Sequence, residues 1–315
     1  MSNTIEVVVK EIKKESPKVK SFKLVRPDGS PLPRFSAGSH ITTYLDQNGL
    51  ERHYSLTTSP NQTDFYQIAV RLSDQSKGGS AYWHHKIKEG GKLKISYPKN
   101  HFPLSFQAKH HVFFAAGIGI TPFLAMAADL KAKGQTFELH YSAPSKEFCT
   151  FYTYLTAHYP NETRFYFSDE KHRMKPQLMD NKPIGTHVYF CGSEAMMKEY
   201  AEAAKGYGYP EKSIHFELFS PPDLGPMHAF KVKLNKSDQF IQVPEGESLL
   251  ETLLKHNIQA PYSCKIGGCG SCQVDVLEGE VDHRDLFLSE VEKKQANVIL
   301  TCVSRAKCST LVLDL

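Results

Sequence analysis

The sequence of 315 residues has no apolar run approaching eighteen residues, which excludes a membrane-spanning helix. Its first twenty residues alternate charged and β-branched side chains and hold no apolar signal-peptide core, so the expected location is cytoplasmic. Strong charge of either sign is also missing. The formal net charge of +4 is too small to argue for nucleic acid. Internal repeats, low-complexity tracts and the G-x-G-x-x-G fingerprint of dinucleotide-binding folds are absent. The apolar fraction of 40% and charged fraction of 23% are those of a globular protein that buries its cores without disulfides.

Seven cysteines are present, and their distribution says more than their number. Cys149 and Cys191 stand alone, whereas Cys264, Cys269 and Cys272 fall within nine residues as C-x4-C-x2-C. Cys302 follows after 29 intervening residues. This is the spacing of a plant-type [2Fe–2S] loop, in which four thiolates converge on two irons. Gly267, Gly268 and Gly270 let the loop fold back and bring backbone N–H groups to the sulfurs. Structural zinc instead shows two separated Cys or Cys/His pairs, and a disulfide framework needs an oxidising compartment. Cys308 reads as a free thiol.

The chain changes texture twice. Up to about residue 105, short β-prone runs (Ile5 to Lys13, Val19 to Arg26, Ile41 to Leu45, Phe65 to Leu72, Lys92 to Ser96) alternate with turn signals. They predict an antiparallel barrel or sandwich with one helix near Ala81 to Lys88. From His111 onward, strand candidates alternate with helical stretches, as a parallel doubly wound sheet requires. The segment Ser220 to Pro226, with three prolines and a glycine, reads as a linker. Beyond it, hairpin, helix and strand signals predict a small α+β module around the cysteine loop. That gives three domains: 1–105, 106–222 and 226–315. After residue 225 there are ten Lys and Arg against twelve Asp and Glu, so the earlier residues carry a surplus of six positive charges. Four thiolates on a two-iron core would make the last module about two charges more negative.

Two stretches of the first module point to a flavin. In Arg52-His53-Tyr54-Ser55, the arginine suits a phosphate, the tyrosine an aromatic ring and the serine a ring nitrogen. Lys77-Gly78-Gly79-Ser80, before the helix, offers an ammonium, backbone donors and a hydroxyl to one phosphate. In the second module, Phe113-Phe114-Ala115-Ala116-Gly117-Ile118-Gly119-Ile120-Thr121-Pro122 is a strand, a glycine turn and a helix start. Thr121 is expected to cap that helix and Pro122 to open it. Tyr189-Phe190-Cys191-Gly192-Ser193 closes a later strand. Strand ends of this kind are where such sheets bind ligands. Asp169 or Glu170, after the Thr163 to Phe167 strand, would repel a 2′-phosphate and favour NADH.

Taken in order, these motifs resemble the phthalate dioxygenase reductase family over the whole length, and are similar to vanillate demethylase and carnitine monooxygenase reductases. Asp282-His283-Arg284-Asp285 and Cys302-Val303-Ser304-Arg305-Ala306-Lys307 look like the family's C-terminal text. The resemblance implies FMN in the barrel, NADH in the middle domain and [2Fe–2S] in a β-grasp ferredoxin domain. It further implies that Arg52, Lys77, Gly78, Gly79 and Ser80 hold the FMN phosphate. Tyr54, Ser55, the backbone of Ala69, Val70 and Arg71, and Thr121 would surround the ring, which Phe219 would cover. Gly117, Gly119, Cys191 and Gly192 would line the NADH site, and Cys264, Cys269, Cys272 and Cys302 would ligate the cluster. Ala116, Ser193 and Tyr141 to Ser145 depart from the family pattern.

Electron counting orders the cofactors. NADH gives two electrons at once, a [2Fe–2S] cluster takes one, and a flavin can accept two and release them singly. Hydride transfer requires no general base, so no catalytic side chain is expected; Ser55 and Cys191 lie near the reacting rings. The expected protein is the reductase of a two-component Rieske-type oxygenase. Alternatives are a reductase of a separate soluble carrier or small acceptor, and an iron–sulfur redox sensor.

Overall fold

The computed structural model describes residues 4–45, 49–76, 78–220 and 225–315. Lys77 and Pro221 to Leu224, part of the expected linker, lie outside the described residues. The chain divides after Glu217 into two compact units.

The first unit begins with an antiparallel sheet. Its strands are β1 (Thr4–Ser16), β2 (Val19–Val25), β3 (Ser39–Tyr44), β4 (Glu51–Ser55), β5 (Tyr66–Arg71), β6 (Lys92–Ser96) and the short β7 (Lys99–Asn100). The order is β4-β3-β6-β1-β2-β5, with β7 on β3. The outer strands meet where the Thr57 N–H donates to Gln67 O at 2.9 Å, so the sheet curls back as a barrel does. Alternation in β1 buries Ile5, Val7 and Val9 and turns Thr4, Glu6 and Lys10 outward. Trp83 of the helix α1 (Gly79–His85) is fully buried in this core, its ring 4.6 Å from Phe22.

The same unit holds a parallel sheet of β8 (His110–Ala116), β9 (Phe137–Ala143), β10 (Thr163–Phe167), β11 (Thr186–Cys191) and β12 (Ile214–Glu217). Its order, β10-β9-β8-β11-β12, reverses direction between β8 and β11. Such a reversal opens a crevice at the carboxyl ends of the two strands. Three helices connect the strands: α2 (Thr121–Ala132), α3 (Tyr152–His158) and α4 (Glu194–Gly206). Phe123 of α2 stacks on Phe113 of β8 at 4.9 Å. The expected cap at Thr121 is not formed. A tight turn over Gly117–Ile120 precedes α2, and the Thr121 hydroxyl, turned back, donates to Ile118 O at 3.0 Å. Phe102 packs against Phe123 and Tyr189 at 5.9 and 5.8 Å and shares a core with Ala37, just before β3, and Ala69 of β5. The two sheets of this unit are thereby fixed to each other.

The second unit is a mixed sheet of β13 (Phe230–Leu234), β14 (Gln239–Val243), β15 (Gln273–Glu278), β17 (Val298–Leu300) and β19 (Thr310–Leu313). β13 pairs in parallel with β19 and antiparallel with β14. A separate ribbon joins β16 (Val281–Asp282) to β18 (Arg305–Ala306). Leu249, Leu250 and Leu253 of α5 (Leu249–Lys255) fill the core against the sheet, and α6 (Glu290–Gln295) lies outside it. Hairpin, crossing helix and parallel return strand make up the expected β-grasp. Capping boxes Ser248/Glu251 and Ser289/Glu292 start the two helices.

One polar network in the parallel sheet has no counterpart in the sequence reading. Glu138 accepts from His110 Nε2 at 3.1 Å, His140 Nε2 at 3.3 Å and Lys182 Nζ at 2.6 Å. Tyr166 OH lies 2.9 Å from His140 Nδ1. The bonds from His110 and His140, then Lys182, hold the Glu138 carboxyl far below the usual carboxylate range. A depressed carboxylate contributes stability that is present above its unfolded value of 4.5 and is lost as pH falls through the folded value. Glu138→Gln should therefore cost about 1–2 kcal/mol at neutral pH, allowing for its partial exposure. In urea unfolding, the gap from the unsubstituted protein should shrink progressively below about pH 4.5.

Candidate electron-transfer sites

β4 presents Arg52, Tyr54 and Ser55, in register with Thr43, Ile41 and His40 of β3. The Arg52 stem crosses Gly79 so closely that a Cβ there would lie 2.6 Å from Arg52 Cγ and Nε. The structure thus brings together the arginine and the glycine pair that the sequence reading assigned to one phosphate. Arg52 Nη1 donates to Glu51 O at 2.7 Å. The Ser80 hydroxyl accepts from the Ser73 N–H at 3.2 Å and donates to Ser76 Oγ at 2.9 Å. Tyr54 meets the Trp83 ring edge-on at 5.8 Å, and burial pushes its phenol up. Ala69 and Val70 of β5 are buried, and Val70 O is bonded to His84 Nε2 at 2.8 Å. Arg71 is exposed, as is Phe219, the second residue beyond β12.

At the crevice, the turn after β8 touches the end of β11. A Cβ on Gly119 would fall 2.2 Å from Cys191 O, so no side chain fits there. Gly117 has φ +54° and accepts at its carbonyl from Tyr141 OH at 2.9 Å. Two departures from the family pattern have local reasons. Ala116 is extended, with φ −130°, and needs no glycine. Ser193 caps α4, accepting from the Met196 N–H at 3.3 Å, which a proline could not do. Asp169 is exposed after β10; its N–H donates to Pro144 O at 3.1 Å, placing it beside the carboxyl end of β9.

Glu217, which sequence reasoning missed, completes this region. It ends β12 in register with Cys191. Burial pushes its carboxyl up to about 8, with the facing Ser55 hydroxyl offsetting part of the effect. Burial and the Glu217 carboxylate raise the Cys191 thiol. Glu217 Oε2, Ser55 Oγ, Thr58 Oγ1 and Trp83 Nε1 are buried without a hydrogen-bond partner. Orphaned polar atoms beside an arginine-and-glycine cradle fit a planar ligand with its own donors and acceptors, as a flavin ring has. The signal for Glu217 was available: an acid at the carboxyl end of a strand whose register neighbour was already singled out.

In the second unit, the four cysteines come together in two pairs. Cys272 Sγ and Cys302 Sγ are 3.2 Å apart, and Cys264 bonds to Cys269. Those bonds hold the Cys269 and Cys272 thiols down. Among the described residues, no three His, Cys, Asp or Glu side chains converge as a single metal ion would need. Two thiolates for each of two irons is instead the demand of a [2Fe–2S] core. Backbone N–H groups of Ile266 and Gly268 face Cys264, and that of Gly267 faces Cys302. Gly267 and Gly270 have φ +75° and +70°, and Phe287 lies on Gly270. All seven cysteines are free of disulfides.

The profile of the 2Fe-2S iron–sulfur cluster binding domain matches residues 232–307. That of the N-terminal domain of dimethylamine monooxygenase subunit DmmA-like proteins matches 96–214. The chain is 38% identical to the heme-dependent oxidative N-demethylase beta subunit of Ectopseudomonas mendocina, over all of both chains. It is 39% identical to the carnitine monooxygenase reductase subunit of Escherichia coli, over 98% of each. The solved structure of phthalate dioxygenase reductase superposes with a TM-score of 0.77 at 34% identity, covering 99% of this chain and 98% of that one. The chain belongs to the phthalate dioxygenase reductase family. This reductase is an oxidoreductase of an oxygenase system, built on a flavin-binding sheet, a nucleotide-binding sheet and a ferredoxin unit. No helix among its described residues is long and apolar enough to cross a membrane.

A buried acid with a raised pKa makes a signed prediction. Glu217 is tolerated best as the neutral acid, so its penalty is absent below the unfolded value of 4.5 and grows as pH rises towards about 8. Glu217→Gln fixes the neutral form. Its melting temperature should gain on the unsubstituted reductase between pH 5 and pH 8.5; a constant offset would show that Glu217 ionises normally.

Proposed function

We propose that this protein passes electrons from NADH through FMN and a [2Fe–2S] cluster to a terminal oxygenase. The observation that carries the reading is that one chain pairs four thiols in one unit and, in the other, leaves buried polar atoms without partners on β4, on α1 and at the end of β12. Residues 1–105 are read as the FMN domain, 106–222 as the NADH domain and 226–315 as the ferredoxin domain. When bound, the flavin supplies the exchange between a two-electron donor and a one-electron acceptor.

The chain's own residues bind, orient and exclude. Arg52 with the Gly78–Ser80 turn, and Lys77, hold a single phosphate, which favours FMN. Tyr54, Ser55, Thr121, Phe219 and the Ala69–Arg71 backbone surround the ring. Gly117, Gly119, Cys191 and Gly192 let the nicotinamide approach, and Asp169 selects NADH by repelling a 2′-phosphate. Glu217 holds a proton at its carboxyl next to Ser55. Cys264, Cys269, Cys272 and Cys302 ligate the cluster. Free thiols and a cluster suit a reducing cytoplasm.

The partner is read as a Rieske-type oxygenase, which takes one electron at a time. A haem oxygenase is the second reading, favoured by the full-length similarity to a heme-dependent N-demethylase subunit. Purified reductase mixed with each class of oxygenase under NADH separates the two. Without oxygen, NADH should bleach both the flavin and cluster bands. Cys302→Ser should leave flavin reduction intact and abolish delivery to the oxygenase. Loss of both would contradict transfer in that order.

A further inference from the structure

Three of the four paired cysteines share one loop, but Cys302 comes from the end of β17, which pairs with β15. Thr301, beside it, is tied into the structure: its N–H and hydroxyl donate to Cys272 O at 3.2 and 3.1 Å, and its carbonyl accepts from the Leu250 N–H at 2.9 Å. Three residues beyond Cys302 stands Arg305, only 2% exposed. Every N–H of its guanidinium is used. Nε and Nη2 donate to His228 O at 3.2 and 2.7 Å, and Nη2 also donates to Pro244 O at 3.2 Å. Nη1 donates to Glu247 O at 2.7 Å and lies 3.7 Å from Met227 Sδ. The cation sits 5.0 Å from the centre of the Phe230 ring. Every acceptor is a carbonyl or a thioether. One side chain therefore fastens three segments: residues 227–230, the loop before α5, and the strand that follows Cys302.

Between these segments lies a cavity of about 190 Å³. Met227, Ser248, Leu250, Leu254 and Lys265 line it, and so does Cys302. Met227 thus forms one wall of a recess that reaches a cluster ligand, and Arg305 holds that wall. The volume already has room for several waters, the mixed lining, Glu251 included, would hold them, and the bulk of Met227 limits how many reach Cys302. Water beside an iron–sulfur thiolate stabilises the more negative, reduced cluster and so raises its potential.

We propose that Arg305 is a positioning residue for the cluster: by fastening Met227 over the cavity at Cys302, it limits water at this thiolate, and so sets the potential of the cluster and how firmly its iron is held. The proposal rests on the [2Fe–2S] reading. Absence of cluster absorbance in the unsubstituted protein would defeat that reading, whereas the comparison below addresses Arg305 and Met227 in a protein that carries the cluster.

The test uses the full-length holoprotein. Met227→Ala widens the recess and removes the thioether acceptor of Nη1; Met227→Leu removes the same acceptor but keeps the bulk; Arg305→Lys keeps the charge but offers three donors in place of five. Redox titration followed by electron paramagnetic resonance gives the cluster potential, with the flavin of the same chain as internal reference. Iron release to a chelator is followed by loss of cluster absorbance. Met227→Ala should raise the cluster potential relative to the flavin and speed iron release several-fold, and Met227→Leu should restore both. Arg305→Lys should move both quantities the same way. A clamp with no part in solvent control would leave the potential of Met227→Ala unchanged, and that result overturns the proposal whether or not Arg305→Lys folds.

Discussion

The close crossing of two backbones at Gly119 and Cys191 is the constraint on which the first unit's chemistry depends. With 2.2 Å left for a Cβ, the turn after β8 can reach the end of β11 only as glycine. That crossing fixes Cys191 at the reversal point of the parallel sheet. Strand register then brings Glu217 beside it, and the packing of Phe102 brings the β4 end, with Ser55, to the same place. The price of this convergence is a set of buried polar atoms with nothing to bond. Each costs about 1–3 kcal/mol while unsatisfied. Such atoms are tolerable in a folded protein if a ligand spends most of its time bound to them.

The second unit solves a different problem. A short loop can present three sulfurs, because glycines at positive φ let it turn back on itself and aim its N–H groups inward. It cannot supply the fourth. Cys302 is brought in by β17 and held by the Thr301 bonds, by the start of α5 and by Arg305. Much of the β-grasp scaffold is therefore a device for placing one side chain. The capping box at Ser248 belongs to the same device, since it fixes the helix turn that bonds to Thr301.

What was legible in the sequence follows from range. β6 and β10 end where alternation and turn residues said they would, because those signals are local. The cysteine spacing was equally local. Thr121 was misread as a cap because a tight turn from Gly117 extends the helix start backwards, and nothing in Thr-Pro announces that. Glu217 and Arg305 were overlooked for a different reason. An acid and a cation become unusual only when folding strips them of water, and that depends on residues 26 and more positions away, such as Cys191 for the one and His228 for the other. The Glu138 network is of the same kind: its members lie on β8, β9 and β10 and beyond, and no window of sequence contains them.

The two thiol pairs differ in a way that bears on the direction of electron flow. Cys264 and Cys269 are half-exposed, while Cys272 and Cys302 are buried. Phe287 lies on Gly270, between the outer pair and Cys272, and is itself about half exposed. Solvent stabilises added negative charge, so the outer pair's side is the more hospitable to an arriving electron and the nearer to any acceptor. This asymmetry works only if water is admitted on one side and kept from the other. The cavity at Cys302 is the weak point in that arrangement, and the arginine, with four neutral acceptors, holds its Met227 wall.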